Sequence, residues 1–161
     1  MVNREQILSW LEEVSDPEIP VLSVVDLGVV RDAQFEDSSW IITITPTYSG
    51  CPAMQVMEDD IKSKLKDKGI EDVLVRTVLS PAWTTDWLSQ NGRLKLREYG
   101  IAPPEHEVDK SVLFAAPTIV PCPKCLSRNT RMVSQFGSTA CKAHYQCNDC
   151  QEPFDYFKCL K

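Results

Sequence analysis

Two cysteine pairs, Cys122-Pro123-Lys124-Cys125 and Cys147-Asn148-Asp149-Cys150, constrain this chain more than any other feature. Thiolates two residues apart turn onto one ion. A second such pair completes the tetrahedral sulfur set that Zn(II) or a rubredoxin-type iron prefers. Scattered core thiols are the alternative, and two C-x2-C pairs at ribbon-like spacing argue against it. Short β-prone runs alternate with turns through this region: 130–136, Gly137-Ser138-Thr139, 143–146, then Phe154-Asp155-Tyr156-Phe157. The pattern predicts a three-stranded zinc ribbon with each knuckle at a turn and the aromatics covering the sheet. Such a sheet has too little core to fold alone, so metal binding, typically about 10–16 kcal/mol apparent for structural zinc, becomes folding free energy.

Cysteine usage also marks a domain boundary. Of the seven, Cys51 stands alone in the first two thirds, while Cys122, Cys125, Cys141, Cys147, Cys150 and Cys159 crowd the C-terminal end. At 161 residues the chain has room for an ordinary domain followed by a metal-stapled one. The expected division is an α/β domain over 1–100, a linker over 101–116 and the ribbon over 117–161. The odd cysteine count and an N-terminus reading Met1-Val2-Asn3-Arg4-Glu5, without an apolar signal segment, predict a cytoplasmic protein with reduced thiols. No apolar run approaches membrane-spanning length, so no membrane partner is expected. Residues 1–60 hold twelve Asp/Glu and two Lys/Arg, and the net charge is -6, which excludes the concentrated basic face of a nucleic-acid protein. Six Lys/Arg in the ribbon, interspersed with Asp149, Glu152 and Asp155, read as ordinary solvated surface.

In the first domain, Asn3 followed by Gln6 caps a helix whose Ile7, Leu8, Leu11 and Val14 form one apolar face, ending near Ser15. Asp16-Pro17 and Pro20 force an extended loop. Asp26-Leu27-Gly28-Val29-Val30 leads into a strand, and Trp40-Ile41-Ile42-Thr43-Ile44-Thr45 pairs with it across the polar turn Glu36-Asp37-Ser38-Ser39. A second helix begins at Pro52, runs through Met54, Met57, Ile61 and Leu65, and closes at Gly69. Val73 to Val78 forms a third strand, which the intervening helix makes parallel to the second. Thr85 is expected to cap a third helix through Trp87, Leu88, Leu94 and Leu96, stopped at Gly100. The fold class is therefore α/β (α+β), a small mixed sheet covered by helices, with a C-terminal zinc ribbon.

Cys51, after Tyr48-Ser49-Gly50 and before Pro52, falls between a strand end and a helix N-terminus, where helix-end amides stabilise a thiolate. Packing as a small apolar residue under the helix competes with that reading. If the thiol is exposed, nucleophile, redox thiol and soft metal ligand are the choices. His106 and His144 are not placed by sequence as bases for it, and the next cysteine along the chain, Cys122, is too distant to read as a resolving partner. Ligation of iron or an iron-sulfur cluster survives, and sharing across a homodimer would need one cysteine per chain. Asp16 and Glu18, on a stiff proline-flanked loop, are placed to line the same site, although loop carboxylates also serve as solvated turn residues or caps. Cys141 and Cys159 fall outside the knuckles and are expected as packed thiols.

Asp16-Pro17-Glu18-Ile19-Pro20, Asp26-Leu27-Gly28 and Tyr48-Ser49-Gly50-Cys51-Pro52 together resemble the small α/β domain of the iron-sulfur assembly family, over about residues 3–100. With the ribbon, including Gly137-Ser138-Thr139, Glu152-Pro153-Phe154-Asp155-Tyr156-Phe157 and Cys159, the whole chain resembles the D-subunit family encoded with bacterial phenylacetyl-CoA epoxidase (ring 1,2-monooxygenase) systems. The resemblance implies maturation of the monooxygenase, by delivery of an iron-sulfur cluster or metal to its reductase or oxygenase subunit, and no turnover of phenylacetyl-CoA. It agrees with the lack of Glu-x-x-His pairs and of a Gly-rich nucleotide loop. The family's reactive cysteine maps onto Cys51 and its metal ligands onto Cys122, Cys125, Cys147 and Cys150. Ser49 stands where assembly domains often have threonine, and Leu126 where ribbons often have glycine, a change expected to tighten that turn. Two other readings stay open: a rubredoxin-like electron carrier with iron in the four-cysteine site, and a scaffold subunit that transfers no metal.

Overall fold

Asn3 opens the first helix as the sequence predicts. In the computed structural model its side chain accepts from the Gln6 amide at 2.9 Å while the Gln6 side chain accepts from the Asn3 amide at 3.1 Å, a reciprocal cap of the kind whose loss costs about 1 kcal/mol. The structure describes residues 1–47, 52–104, 119–137 and 142–157. It divides into two units, Met1–Gly92 and Arg93–Lys161.

In the first unit, α1 (Arg4–Leu11) buries Ile7 and Leu11 and ends a turn before the expected Ser15, with Glu12 as its C-cap. Val14, just beyond, is buried all the same. Strands β1 (Val30–Glu36) and β2 (Ser39–Ile44) form an antiparallel hairpin, and β3 (Val73–Thr77) pairs parallel to β2, giving the order β1-β2-β3. The crossover is α2 (Ala53–Asp67), which buries Ala53, Met57, Ile61 and Leu65 at helical spacing and ends before Gly69 at φ 90°. Helix α1 packs on α2 and β1, and α2 on β3. The core beneath them is aliphatic, with Leu22, Ile42, Ile44, Met57 and Ile61 almost wholly excluded from solvent.

The expected third helix is two elements. Thr84, not Thr85, caps a single 3-10 turn over Thr85–Trp87, and Leu88 then turns extended at ψ 131°. A separate helix, α3 (Gln90–Tyr99), follows. Its start is fixed by Ser89, whose hydroxyl accepts from the Gly92 amide at 2.9 Å, an N-cap bond. Leu94, expected on an apolar face, is exposed, whereas Leu96 is buried.

The ribbon sheet has four strands in the order β4-β7-β6-β5, with β4 (Ile101–Ala102), β5 (Thr130–Ser134), β6 (Lys142–Cys147) and β7 (Pro153–Phe157). Strands β5, β6 and β7 make the expected antiparallel meander. The fourth strand departs from expectation: Ile101–Ala102, read from sequence as the start of a linker, runs parallel to β7. Both residues are buried, and apolar burial outweighs the turn signal of the prolines that follow. Ala102, Val120, Ala143, Tyr145 and Phe154 pack with the sulfurs of Cys122 and Cys147 into one small core. Cys51, Cys141, Cys159, His106 and most of the expected linker lie outside the described residues.

Candidate metal centre

Each knuckle is a backbone device before it is a ligand set. After the first, the Leu126 amide donates to Cys122 O and the Cys122 amide to Ser127 O, both at 2.9 Å. After the second, the Cys147 amide donates to Glu152 O at 3.0 Å, and the Cys150 amide lies 3.5 Å from the Cys147 sulfur. Leu126 and Gln151, each one residue past the second cysteine of its pair, both sit at φ 64°. Leucine thus adopts the left-handed conformation that glycine would take here, at a cost of roughly 1–2 kcal/mol.

These turns bring Cys122, Cys125, Cys147 and Cys150 together with all four sulfurs within 4.8 Å of one another. Cys122 and Cys150 sulfurs are 3.7 Å apart and those of Cys125 and Cys147 3.6 Å. A tetrahedral metal with sulfur bonds of about 2.3 Å needs sulfur-sulfur edges of about 3.8 Å. The donor set therefore fits a four-thiolate metal. Cys122 and Cys147 are buried while Cys125 and Cys150 are exposed, so each knuckle contributes one inner and one outer ligand.

The thiols do not ionise alike. Amide donors from Cys150 and Asp149, the former dominant, outweigh partial desolvation and bring Cys147 down to about 7. At Cys125 the Ser127 amide pulls downward, but desolvation and hydrogen bonds with Cys147, Cys150 and Cys122 prevail and push it up to about 12. Adjacent thiols resist losing all their protons without a cation between them. Lys124, between the first pair of ligands, is held 3.0 Å from Glu152 and so sits as a positive charge beside the sulfurs.

The acidic residues expected near Cys51 occupy a different kind of setting. Asp16 is buried, and its Oδ1 accepts from the Glu18 and Ile19 amides at 2.7 and 2.8 Å, bracing the proline-flanked loop. Glu18 is half-buried beside it. Asp26 is buried as well: its amide donates to the Ser23 hydroxyl at 2.9 Å and its Oδ1 accepts from the Ser89 hydroxyl at 3.0 Å. Trp83 donates its indole N–H to Leu27 O at 2.8 Å, and the Arg31 guanidinium lies 3.4 Å over the Trp87 ring. Sequence reading assigns no site role to Trp83, Trp87 or Ser89; two tryptophans and a capping serine in a short polar stretch are the available signal. At the end of β2, where the chain leads toward Cys51, Thr45 is buried and its hydroxyl has no partner among the described residues.

Comparison with known proteins divides along the same lines as the chain. Residues 4–78 match the family model described as iron-sulfur cluster assembly protein, and residues 107–158 match the PaaD zinc beta ribbon domain. The chain is 38% identical over 95 residues to the Fe-S protein maturation auxiliary factor YitW of Bacillus subtilis, covering 58% of this chain and 92% of that protein. A domain of unknown function, DUF59, from Bacillus anthracis superposes with a TM-score of 0.54 at 28% identity, over 58% of this chain and 90% of its own. The putative 1,2-phenylacetyl-CoA epoxidase D subunit of Escherichia coli is 48% identical over 155 residues, spanning 96% of this chain and 92% of that protein. A likeness of that extent, joining both units in one order, places this chain in the PaaD family of phenylacetyl-CoA epoxidase D subunits, an iron-sulfur assembly domain followed by a zinc ribbon.

Proposed function

We propose that this protein is an accessory factor of a phenylacetyl-CoA epoxidase, acting in its maturation by delivering an iron-sulfur cluster or metal to the reductase or oxygenase subunit, and not in catalysis. One observation carries the reading: residues 4–78 match the iron-sulfur cluster assembly family within a chain that aligns over 96% of its length with an epoxidase D subunit. Cys51 is the transfer ligand in this proposal, holding iron or a cluster transiently, shared across a homodimer. Release is ligand exchange: a recipient thiolate takes the iron bond that the Cys51 sulfur gives up, and no electron changes hands. Asp16 and Glu18 shape the neighbouring loop, and the buried Thr45 hydroxyl supports a polar site at the end of β2.

The ribbon, in the same proposal, carries structural zinc and recognises the recipient subunit. Supporting this, edge strand β5 leaves Met132 and Val133 exposed, with Phe136 exposed just beyond it. Replacing Cys51 with serine is expected to leave the fold intact and to yield cluster-poor reductase or metal-poor oxygenase in cells. Fully loaded, active epoxidase from that mutant would refute the transfer role. The four-sulfur geometry also suits iron, which favours a second reading as an electron carrier. Elemental analysis with an absorption spectrum separates the two. Stoichiometric zinc in a colourless ribbon eliminates the carrier, and a red protein with one tightly held iron establishes it.

A further inference from the structure

The two knuckles are tied to each other by side chains that are not ligands. Asp149, inside the second knuckle, accepts at Oδ2 from the Ser127 hydroxyl and at Oδ1 from the Asn129 side chain at 2.9 Å. Asn148 beside it donates its side-chain amide to Asn129 Oδ1 at 3.1 Å and its backbone amide to Asn129 O at 2.8 Å. Ser127 also accepts the Asn129 amide at 3.0 Å, and its carbonyl accepts the Cys122 amide. A continuous set of hydrogen bonds thus runs from the segment after Cys125 to the residues between Cys147 and Cys150, and none of its members is a metal-binding sulfur.

A carboxylate in that place has an electrostatic cost. Four thiolates around a divalent ion carry a net negative charge, and Asp149 adds another of the same sign beside Cys150. An uncharged residue would avoid the repulsion, but only a carboxylate offers two acceptor oxygens for the donors of Ser127 and Asn129. We infer that Asp149 is the positioning residue of the metal centre, clamping the two thiolate pairs to each other once the ribbon has folded on its ion and retarding the ion's release. The ribbon's ion is therefore resident, distinct from any iron that the first unit passes on. This inference stands on the ribbon alone, so its failure leaves the Cys51 proposal untouched.

The sign of the effect in Asp149→Asn tests it. If the carboxylate acted only through charge, asparagine would remove a repulsion and the metal would be held at least as tightly. With a clamp, one acceptor is lost and the metal is held more weakly. The measurement is transfer of Zn(II) from the full-length protein to a chromogenic chelator, with the Co(II) form giving the thiolate-to-metal absorption that reports the ligand set. Asp149→Asn and Asn129→Ala are expected to keep the four-thiolate Co(II) spectrum while lowering affinity by about 10- to 100-fold and speeding release. Release at or below the parent rate in both variants overturns the clamp. Should either variant fail to fold, the other gives the answer, because each removes a different member of the same set.

Discussion

At Gly28 a single methyl group would meet the backbone of another loop. Its φ is 78°, and a Cβ added there would lie 2.5 Å from the Trp87 carbonyl oxygen and 2.7 Å from the Trp87 Cβ. Strain of a left-handed alanine and overpacking against a fixed turn add, so Gly28→Ala is expected to destabilise the first unit by about 2–4 kcal/mol. Urea unfolding followed by tryptophan fluorescence measures it, and a change under about 0.5 kcal/mol, within ordinary surface variation, would contradict the packing described. The glycine is visible in the sequence as part of Asp26-Leu27-Gly28, but its partner is not. Trp87 lies beyond three strands and a helix, and no local periodicity links the two. Asp16 teaches the converse: its Oδ1 is committed to two backbone amides of its own loop, which sequence could offer only as one of two uses.

Among the elements, the β1-β2 hairpin is the most legible, since a polar turn between β-branched runs fixes its position. What the sequence leaves unsaid is the turn's strain. Asp37 and Ser38 both have positive φ, 47° and 69°, the type I′ geometry that matches the twist of paired strands. Replacing Asp37-Ser38 with Asn-Gly, the dipeptide that accepts both angles, is expected to stabilise the first unit by about 0.5–1 kcal/mol. An unchanged or lowered unfolding midpoint would count against the assignment. The region after β3 misleads a local reading because its hydrophobic residues fall at helical spacing across a break. Leu88 is buried in an extended conformation, and Ser89 forms the true cap; tertiary contact of Ser89 with Asp26 overrides the local pattern.

For the molecule as a whole, the contrast lies between a unit held by an aliphatic core and one stapled by sulfur and metal. No helix of the described residues is long and apolar enough to cross a membrane. Chelation or mild acid is expected to unfold the ribbon while the first unit stays folded, seen as hydrogen exchange of β5 to β7 at unfolded rates with α1, α2 and β1 to β3 protected. The sign follows from the thiols. Metal binding needs the four thiols deprotonated; Cys147, depressed from 9.0 to about 7, regains its proton as pH falls through about 7, so acidification weakens the hold on the ion and with it the ribbon. Cys125, raised to about 12, holds its proton more firmly still, so the metal must displace it and acid restores it. Simultaneous loss of both units on chelation would contradict the division.

Local chemistry was enough to single out the four cysteines that the fold gathers into one sulfur cluster, the order of a cysteine-poor domain before a zinc ribbon, the Asn3 cap and the three strands of the first sheet. These are written in short-range spacing: two residues between thiols, three between cap partners, alternation along a strand. Tertiary structure alone decided that Ile101–Ala102 joins the ribbon sheet, that Trp83 and Trp87 pack on the Asp26-Leu27-Gly28 loop, and that Asp149 joins the two knuckles. Each of those is a contact between segments distant in sequence, and its free energy comes from burial and hydrogen bonding that exist only once the chain has folded.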